Sequence, residues 1–181
     1  MFKVEAMEKG VETRRLMQRA GFDARILSGG STGTYNIDST IDGVTELQVG
    51  SYVFMDVDYR RIGGADGQTV YADFQPSLTV LTTVTSRPRG RVAILDIGRK
   101  TVTAHHGRPE IVDRPGATMM EPSEEHWNID VGEWSELRPG DRLTVIPGSL
   151  PTTVNLHDRM YVCRNSQVEA IWPIAARGRA Q

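Results

Sequence analysis

The sequence predicts an α+β fold in which an α/β segment is followed by a mostly antiparallel β-domain. Near the start of the chain, apolar residues recur at helical spacing, and a short apolar segment and a glycine-rich loop follow them. From Leu78 onward, the apolar segments are short and rich in β-branched residues, without a helical period. This change of pattern predicts a boundary near residues 70–78, with one domain at 1–75 and a second at 76–181.

The first predicted element is a helix over residues 4–20. Its apolar residues alternate with charged ones at the spacing of a single buried stripe, and they are Val4, Met7, Val11, Leu16 and Met17. Gly21 follows and is predicted to end the helix.

Two short strands, each beside a glycine- and hydroxyl-rich loop, are predicted next. The first covers residues 24–27 and leads into the loop 28–35; the second covers residues 52–55 and follows Gly50 and Ser51. Helix, strand and glycine-rich loop in this order are typical of an α/β unit.

The β-domain is predicted to contain five further strands, at residues 78–85, 92–97, 142–146, 160–164 and 167–172. Trp127, Trp134 and Trp172 lie in this domain and are predicted to be packing residues, because indole rings bury large apolar areas.

Composition and charge narrow the class of protein. Of the 181 residues, 39% are hydrophobic and 24% charged, so a packed core is expected. The net charge of -2 gives no electrostatic reason to expect a nucleic-acid partner. No apolar run approaches the roughly 20 residues that span a bilayer, and Lys3 and Glu5 lie where a secretory signal has its apolar stretch. A cytoplasmic protein is therefore expected, and the single cysteine, Cys163, which cannot form an internal disulfide, fits a reducing compartment.

The two loops have the composition of an anion-binding site. Small residues let backbone N–H groups point at an anion, and serine and threonine hydroxyls add donors. In a (β/α)8 barrel, phosphate often binds at the loops after the last two strands, and loops 28–35 and 50–52 fit that arrangement if the chain starts late in a barrel. They match neither a Walker loop nor a dinucleotide fingerprint, so ordinary tight turns are the alternative interpretation.

Six segments, in order along nearly the whole chain, carry a family resemblance. They are SGGSTGTY at 28–35, VTELQVGSYVFMD at 44–56, EEH at 124–126, GDR at 140–142, TVNLHD at 153–158 and WPIAARGR at 172–179. Together they resemble the last barrel segments and the C-terminal β-domain of the D-threonine aldolase/D-serine dehydratase family.

The resemblance implies a fold-type III pyridoxal-phosphate enzyme, related to alanine racemase. In this architecture an α/β barrel carries the cofactor, a β-domain follows it, and two subunits commonly form a homo-oligomer. The chain would then be the C-terminal remnant of a TIM-type barrel plus the β-domain of a D-amino-acid lyase. The residues implied to surround the cofactor phosphate are Gly30, Ser31, Thr32, Gly50, Ser51 and Tyr52.

The resemblance also implies that the Schiff-base lysine lies on an early barrel strand that this chain does not contain. The covalent chemistry needs an amine aimed at the cofactor aldehyde. Lys3, Lys9 and Lys100 are predicted to be solvated surface residues, so no catalytic residue is assigned. The chain is therefore expected to be inactive alone, and its expected partner is an N-terminal barrel half on another chain.

A divalent metal site of the family is expected to be lost. Family lyases carry a histidine, one spacer and a cysteine or aspartate just before the Thr-Val-Asn-Leu segment, and the aligned positions here are Ser149 and Pro151. Proline has no ligand atom and a neutral hydroxyl is a poor ligand, so no metal ligand is assigned. On a strand, the adjacent His105 and His106 would point to opposite faces, and His126 and His157 are expected to form structural hydrogen bonds.

Two alternatives to a split or truncated lyase stay open. The chain could be a non-catalytic phosphate-binding or interaction domain, with the exposed barrel remnant as its interaction surface. It could also be half of a metal-free enzyme with racemase-like chemistry, since loss of the metal ligands argues against lyase chemistry but not against racemisation.

Overall fold

The structure is a computed structural model that describes residues 2–64 and 67–179. The described chain forms two compact units, one ending at Val53 and the other beginning at Phe54. The boundary predicted near residues 70–78 lies within the second unit, and the domains 1–75 and 76–181 stay predictions. None of the described helices is both long and apolar enough to cross a membrane.

The first unit begins with helix α1 (Phe2–Arg19), which confirms the predicted helix. It ends in a Schellman motif, in which the N–H of Gly21 bonds Gln18 O and the N–H of Phe22 bonds Met17 O, both at 3.0 Å. Gly21 has a φ of +86°, which glycine adopts without strain. Of the predicted apolar stripe, Val11 is buried, whereas Leu16 and Met17 are exposed, so the stripe is only partly covered within this unit.

A small parallel sheet and two short helical turns complete the first unit. Strands β1 (Ser28–Gly29) and β2 (Glu46–Leu47) pair in register, with Ser28 opposite Glu46. Helix α2 (Tyr35–Asp38) follows the first loop. The strand predicted at residues 52–55 is wrong: Ser51–Val53 form a 3₁₀ helix, and the left-handed backbone of Met55, with a φ of 56°, is incompatible with a strand.

The second unit is built on a six-stranded antiparallel sheet with strand order β5-β8-β3-β4-β7-β6. A separate antiparallel hairpin pairs β9 with β10. The strand bounds are β3 Val80–Arg89, β4 Val92–Leu95, β5 Glu110–Ile111, β6 Thr118–Pro122, β7 Trp127–Asp130, β8 Arg142–Ile146, β9 Arg159–Arg164 and β10 Gln167–Pro173. The predicted α+β class with a mostly antiparallel β-domain is confirmed.

Two short helices in the second unit were not predicted. Helix α3 (Val57–Arg60) begins at Asp56, whose Oδ1 accepts a hydrogen bond from the N–H of Tyr59 at 3.0 Å. Helix α4 (Leu150–Val154) follows β8, in the part of the chain where the sequence shows no helical period. A five-residue helix is too short to leave a periodic apolar pattern in the sequence.

The three tryptophans differ in burial. Trp127 is fully buried in the core of the sheet, and its indole N–H donates to Met120 O at 2.7 Å. Trp134 packs against the same core and donates to Pro115 O at 2.8 Å. Trp172 is 53% exposed on the β9–β10 hairpin, so its predicted packing role is wrong within this chain.

Candidate functional site

The two glycine-rich loops lie side by side because the strands that precede them are parallel. Parallel strands end at the same edge of a sheet, so the loop after β1 and the loop after β2 leave from one edge. The N–H of Tyr52 donates to the Thr32 hydroxyl at 3.1 Å and joins the loops directly. The structure thus brings the predicted residues 30–32 together with residues 50–52.

Thr32 is the contact between the two loops, and its predicted place beside the phosphate stays a prediction. Its side chain is buried, and its hydroxyl accepts the hydrogen bond from Tyr52. This geometry makes Thr32 a link between the loops. The side chain of Tyr52 is 43% exposed.

The first loop is held in shape by hydrogen bonds between Ser31 and Thr34. The N–H of Ser31 donates to Thr34 Oγ1 at 3.1 Å, and the N–H of Thr34 donates to Ser31 O at 3.1 Å. Thr34 is buried, whereas Ser31 is partly exposed. The loop therefore has a defined conformation before any ligand arrives, which lowers the entropic cost of binding.

Several backbone donors of the loops, the N–H of Gly30 among them, are not used internally. Within residues 28–53, the N–H groups of Gly33, Gly50 and Ser51 donate no hydrogen bond. The serine hydroxyl groups of Ser31 and Ser51 lie beside them in the sequence. Residues 28–35 and 46–53 contain no lysine or arginine. The donor set therefore consists of neutral N–H and O–H groups, the set that backbone loops offer to a phosphate.

Gly30 is the position of closest packing in the first loop. A Cβ on this residue would lie 2.5 Å from Oδ2 of the buried Asp38, so no larger side chain fits without a shift. Its φ of +76° also favours glycine. Helix α2 thus fixes the path of the loop through Asp38, a residue whose role the sequence pattern did not indicate.

The lysine side chains that the structure describes lie on the surface. Lys9 pairs with Glu5 at 2.9 Å on α1, and Lys100 pairs with Glu125 at 2.5 Å. The hydrogen bond from Glu125, together with its charge, raises the pKa of Lys100 and keeps its amine protonated. Lys9 and Lys100 are therefore surface residues as predicted, and the side chain of Lys3 lies outside the described part.

The segment aligned with the family's metal ligands lies in the second unit, with Ser149 buried and Pro151 exposed. Ser149 is buried at the start of α4, and Pro151 occupies the first turn of that helix. The N–H of Leu150 donates to Asp56 Oδ2 at 2.8 Å, so one buried carboxylate caps α3 and also fixes this segment. Aspartate is a common N-capping residue, so a local pattern can indicate the first role of Asp56. Its second contact, with Leu150, joins residues 94 positions apart and is not visible in the sequence.

A second segment packs against this one. A Cβ on Gly148 would lie 2.0 Å from Gly107 O, and the N–H of Thr103 lies 3.3 Å from Thr153 Oγ1. His157 Nε2 lies 2.8 Å from Thr101 O, a contact that agrees with its predicted structural role.

The adjacent histidines correct a premise of the sequence analysis. His105 and His106 lie in a turn, and their ring centroids are 3.9 Å apart at an angle of 64°. They do not point to opposite faces of a strand. Even so, the described residues contain no group of three histidine, cysteine, aspartate or glutamate side chains that could hold a metal ion.

Comparisons with family models and with known sequences point to related D-amino-acid enzymes. A family model described as "Putative serine dehydratase domain" matches residues 77–163. The chain is 39% identical to D-threonine aldolase of an Arthrobacter species over 91% of its own length and 42% of that protein. It is 34% identical to 3-hydroxy-D-aspartate aldolase of Paracoccus denitrificans over 90% of its own length and 42% of that protein.

A solved structure supports the same relationship. The crystal structure of D-threonine aldolase from Filomicrobium marinum superimposes with a TM-score of 0.86 and 31% identity. That match covers 95% of this chain and 47% of the aldolase. The chain therefore spans less than half the length of these relatives.

Proposed function

The chain belongs to the D-threonine aldolase/D-serine dehydratase-like family, and from this premise we propose that it is the C-terminal portion of a pyridoxal-phosphate-dependent D-amino-acid lyase. The observation that carries the proposal is the junction of the two loops through Thr32 and Tyr52, with unused N–H donors beside it. The relatives that contain the matching region are named as D-amino-acid aldolases.

In this proposal the loops hold the phosphate of the cofactor. The donors are the N–H groups of Gly30, Gly33, Gly50 and Ser51 and the hydroxyl groups of Ser31 and Ser51, while Thr32 keeps the two loops together. The neutral donor set fits a phosphate group, because backbone N–H groups bind it without the steric cost of side chains. When bound, pyridoxal phosphate would supply an electron sink for reactions at the substrate α-carbon.

We expect the link at Thr32 to determine phosphate affinity. Thr32→Val keeps the shape of the side chain but leaves the N–H of Tyr52 without its acceptor, so the loops lose their connection. Loss of one hydrogen bond of ordinary strength corresponds to a decrease of about tenfold in affinity for inorganic phosphate. Isothermal titration calorimetry with the full chain measures this change.

Thr32→Ser and Thr40→Val are the matched variants. Thr32→Ser keeps the hydroxyl and should retain phosphate binding, and Thr40 donates only to Ile37 O on the exposed side of the following turn. Equal phosphate affinity of the wild-type chain and Thr32→Val would contradict the proposed role of the loops. A wild-type chain that binds no phosphate would overturn the proposed phosphate site itself.

We propose that the chain is inactive by itself because neither of the two lysine side chains in its described part is directed at the cofactor. Lys9 and Lys100 are held by surface carboxylates. After borohydride treatment of the chain with pyridoxal phosphate, mass spectrometry should find only weak lysine labelling that added inorganic phosphate does not change. Strong labelling of one lysine, suppressed by phosphate, would show that the chain carries its own anchor.

The metal site of the family is proposed to be absent from this chain. A buried serine and a proline occupy the two positions, and these do not fit a divalent ion. No step of the proposed function therefore depends on a metal held by this segment. Stoichiometric binding of Mn²⁺ at Ser149 would refute this point.

The partner is proposed to be the remaining part of the barrel, supplied upstream or by another polypeptide. Strands β1 and β2 form a sheet of only two strands, and each has one edge unpaired within its sheet. Unpaired parallel edges are completed by further strands in a closed barrel. Copurification with the N-terminal part of a related aldolase, with lyase activity in the complex, tests this partner, and a homo-oligomer of the complex is expected.

The proposed location of the chain is the cytoplasm. A reducing compartment such as the cytoplasm suits the exposed free thiol of Cys163.

If the reconstituted complex binds cofactor but lacks lyase activity, racemase activity without metal is the second candidate, favoured by Ser149 and Pro151. If no barrel half associates, the chain is a non-catalytic phosphate-binding or interaction domain.

A further inference from the structure

Three polar side chains form a hydrogen-bonded row on one face of the parallel sheet. The Ser28 hydroxyl lies 2.6 Å from Glu46 Oε1, and Gln48 Nε2 lies 3.2 Å from the same hydroxyl. Ser28 and Glu46 are register partners, and Gln48 follows Glu46 by two residues, just after β2 ends, where its N–H continues the pairing with Gly29 O, so all three project from the same face. We call them the Glu46–Ser28–Gln48 row.

This face is the one that points away from helix α1. A Cβ on Gly29 would lie 3.1 Å from Met7 Cε, and a Cβ on Gly10 would lie 3.5 Å from Leu27 Cδ1. Residues 27 and 29 therefore face the helix, and Ser28 faces the other way. Ile26, on the same side as Ser28, is 69% exposed, so this face is uncovered within the unit. In a (β/α)8 barrel the face opposite the helices is the interior.

The donors and acceptors of the row have only one consistent arrangement. An ionised carboxylate accepts hydrogen bonds and cannot donate them, so the Ser28 hydroxyl must donate to Glu46. The lone pairs of that hydroxyl are then available to Gln48, and the amide of Gln48 must present Nε2 to them. The carbonyl oxygen of Gln48 is thereby directed away from Ser28, in a fixed orientation.

The row lies immediately before the second phosphate-binding loop. Gln48 precedes Gly50 by two residues, and its own N–H donates to Gly29 O at 2.9 Å, next to the first loop. Interior positions of such barrels are usually filled by branched apolar side chains. A polar row at the carboxyl ends of the strands is instead suited to a ligand that extends inward from the phosphate.

We propose that Gln48 binds the ring of the phosphorylated ligand, and that Ser28 and Glu46 are positioning residues that fix the Gln48 amide. This rests on the proposed function, because the ligand reaches the row only if its phosphate lies on the two loops. The oriented carbonyl of Gln48 accepts a hydrogen bond from a donor on the ring, and its second amide hydrogen can donate to a ring acceptor. The ligand class is an aromatic heterocycle bearing a phosphate ester.

The test separates ring recognition from phosphate recognition. Pyridoxine 5′-phosphate is the ring-bearing probe, because it has no aldehyde and cannot react with Lys9 or Lys100, and inorganic phosphate is the reference. Calorimetry with the full wild-type chain should show tighter binding of pyridoxine 5′-phosphate. Glu46→Gln removes the carboxylate that makes the Ser28 hydroxyl a donor, so the Gln48 amide is no longer held in one orientation. The substitution should weaken the binding of pyridoxine 5′-phosphate about tenfold, while the affinity for inorganic phosphate stays unchanged.

Further variants show whether Glu46 acts through Ser28. Ser28→Ala should weaken pyridoxine 5′-phosphate to a similar extent, and Ser28→Thr, which keeps the hydroxyl, should restore it. Adding Glu46→Gln to Ser28→Ala should cause no further loss, because the two residues act through one connection. Glu8→Gln makes the same charge change on exposed α1 and should leave both affinities as in the wild type.

The remaining outcomes would each overturn either the ring-binding role of Gln48 or the whole phosphate site. If pyridoxine 5′-phosphate binds no more tightly than phosphate, or if Glu46→Gln leaves its affinity within about twofold of the wild type, the ring-binding role is overturned and the phosphate loops remain. Equal weakening of both probes by Glu46→Gln would show a merely structural effect on the sheet. If the wild-type chain binds neither probe, the proposed function fails and this inference fails with it.

Discussion

Replacing Trp127 by alanine should lower the free energy of unfolding of the β-rich unit by about 3–5 kcal/mol. The indole is fully buried among the residues of the six-stranded sheet, and its N–H donates to Met120 O. The substitution leaves a cavity that the surrounding strands fill only in part, and it leaves the carbonyl of Met120 without its donor. Chemical denaturation followed by circular dichroism measures the change.

The control for this substitution is Trp172→Ala. This tryptophan is 53% exposed on the β9–β10 hairpin, so its removal should cost less than about 1 kcal/mol. A loss of similar size for both variants would mean that the hairpin is packed as tightly as the core. A negligible loss for Trp127→Ala would contradict the packing of the sheet described above.

Gly148→Ala should destabilise the same unit by about 3 kcal/mol, because the new methyl group has no space. Its Cβ would lie 2.0 Å from the carbonyl oxygen of Gly107, and backbone atoms cannot rotate away as a flexible side chain can. The segment that carries Ser149 must therefore move relative to the segment that carries Gly107. Thermal unfolding of the purified variant gives the size of this effect.

Gly140→Ala separates this clash from ordinary backbone strain. Gly140 has a φ of +99°, but a Cβ there meets nothing within 4 Å, so only the conformational cost of about 1–2 kcal/mol applies. Gly148→Ala should be the more damaging of the two. If Gly140→Ala proves equally harmful, the close approach of residues 107 and 148 is not as tight as the structure indicates.

Much of the fold follows from local signals in the sequence. The periodic apolar residues of α1 and the glycine after it predict the helix and its end, and the structure confirms both. The β-branched segments at β3 and β8 likewise predict strands, because such side chains favour extended backbone. These elements are long enough for a pattern to develop within one segment.

The errors arise where the structure depends on distant contacts. β2 has only two residues, too few for a recognisable pattern, and the apolar pattern of residues 52–55 predicts a strand where the chain forms a 3₁₀ turn. Trp172 was expected to pack because it is large and apolar, yet whether it is covered depends on what lies over the hairpin. Residue type alone does not determine burial.

The candidate site shows the same division between local and distant information. The glycines and serines of the two loops are evident in the sequence, and so is their suitability for an anion. The hydrogen bonds that join Thr32 to Tyr52 and Ser28 to Glu46 connect residues 20 and 18 positions apart. Such pairs become visible only once the parallel register of β1 and β2 is known.

The central claim is that the loops after β1 and β2 form one phosphate site in this chain. Its most direct test is a titration of the ¹⁵N-labelled full chain with pyridoxine 5′-phosphate, followed by amide chemical shifts. If the two loops form one site, the N–H signals of Gly33, Gly50 and Ser51 will shift together and saturate with a single affinity. Shifts absent from these amides, or concentrated at the arginines Arg60, Arg61 and Arg108, would contradict it.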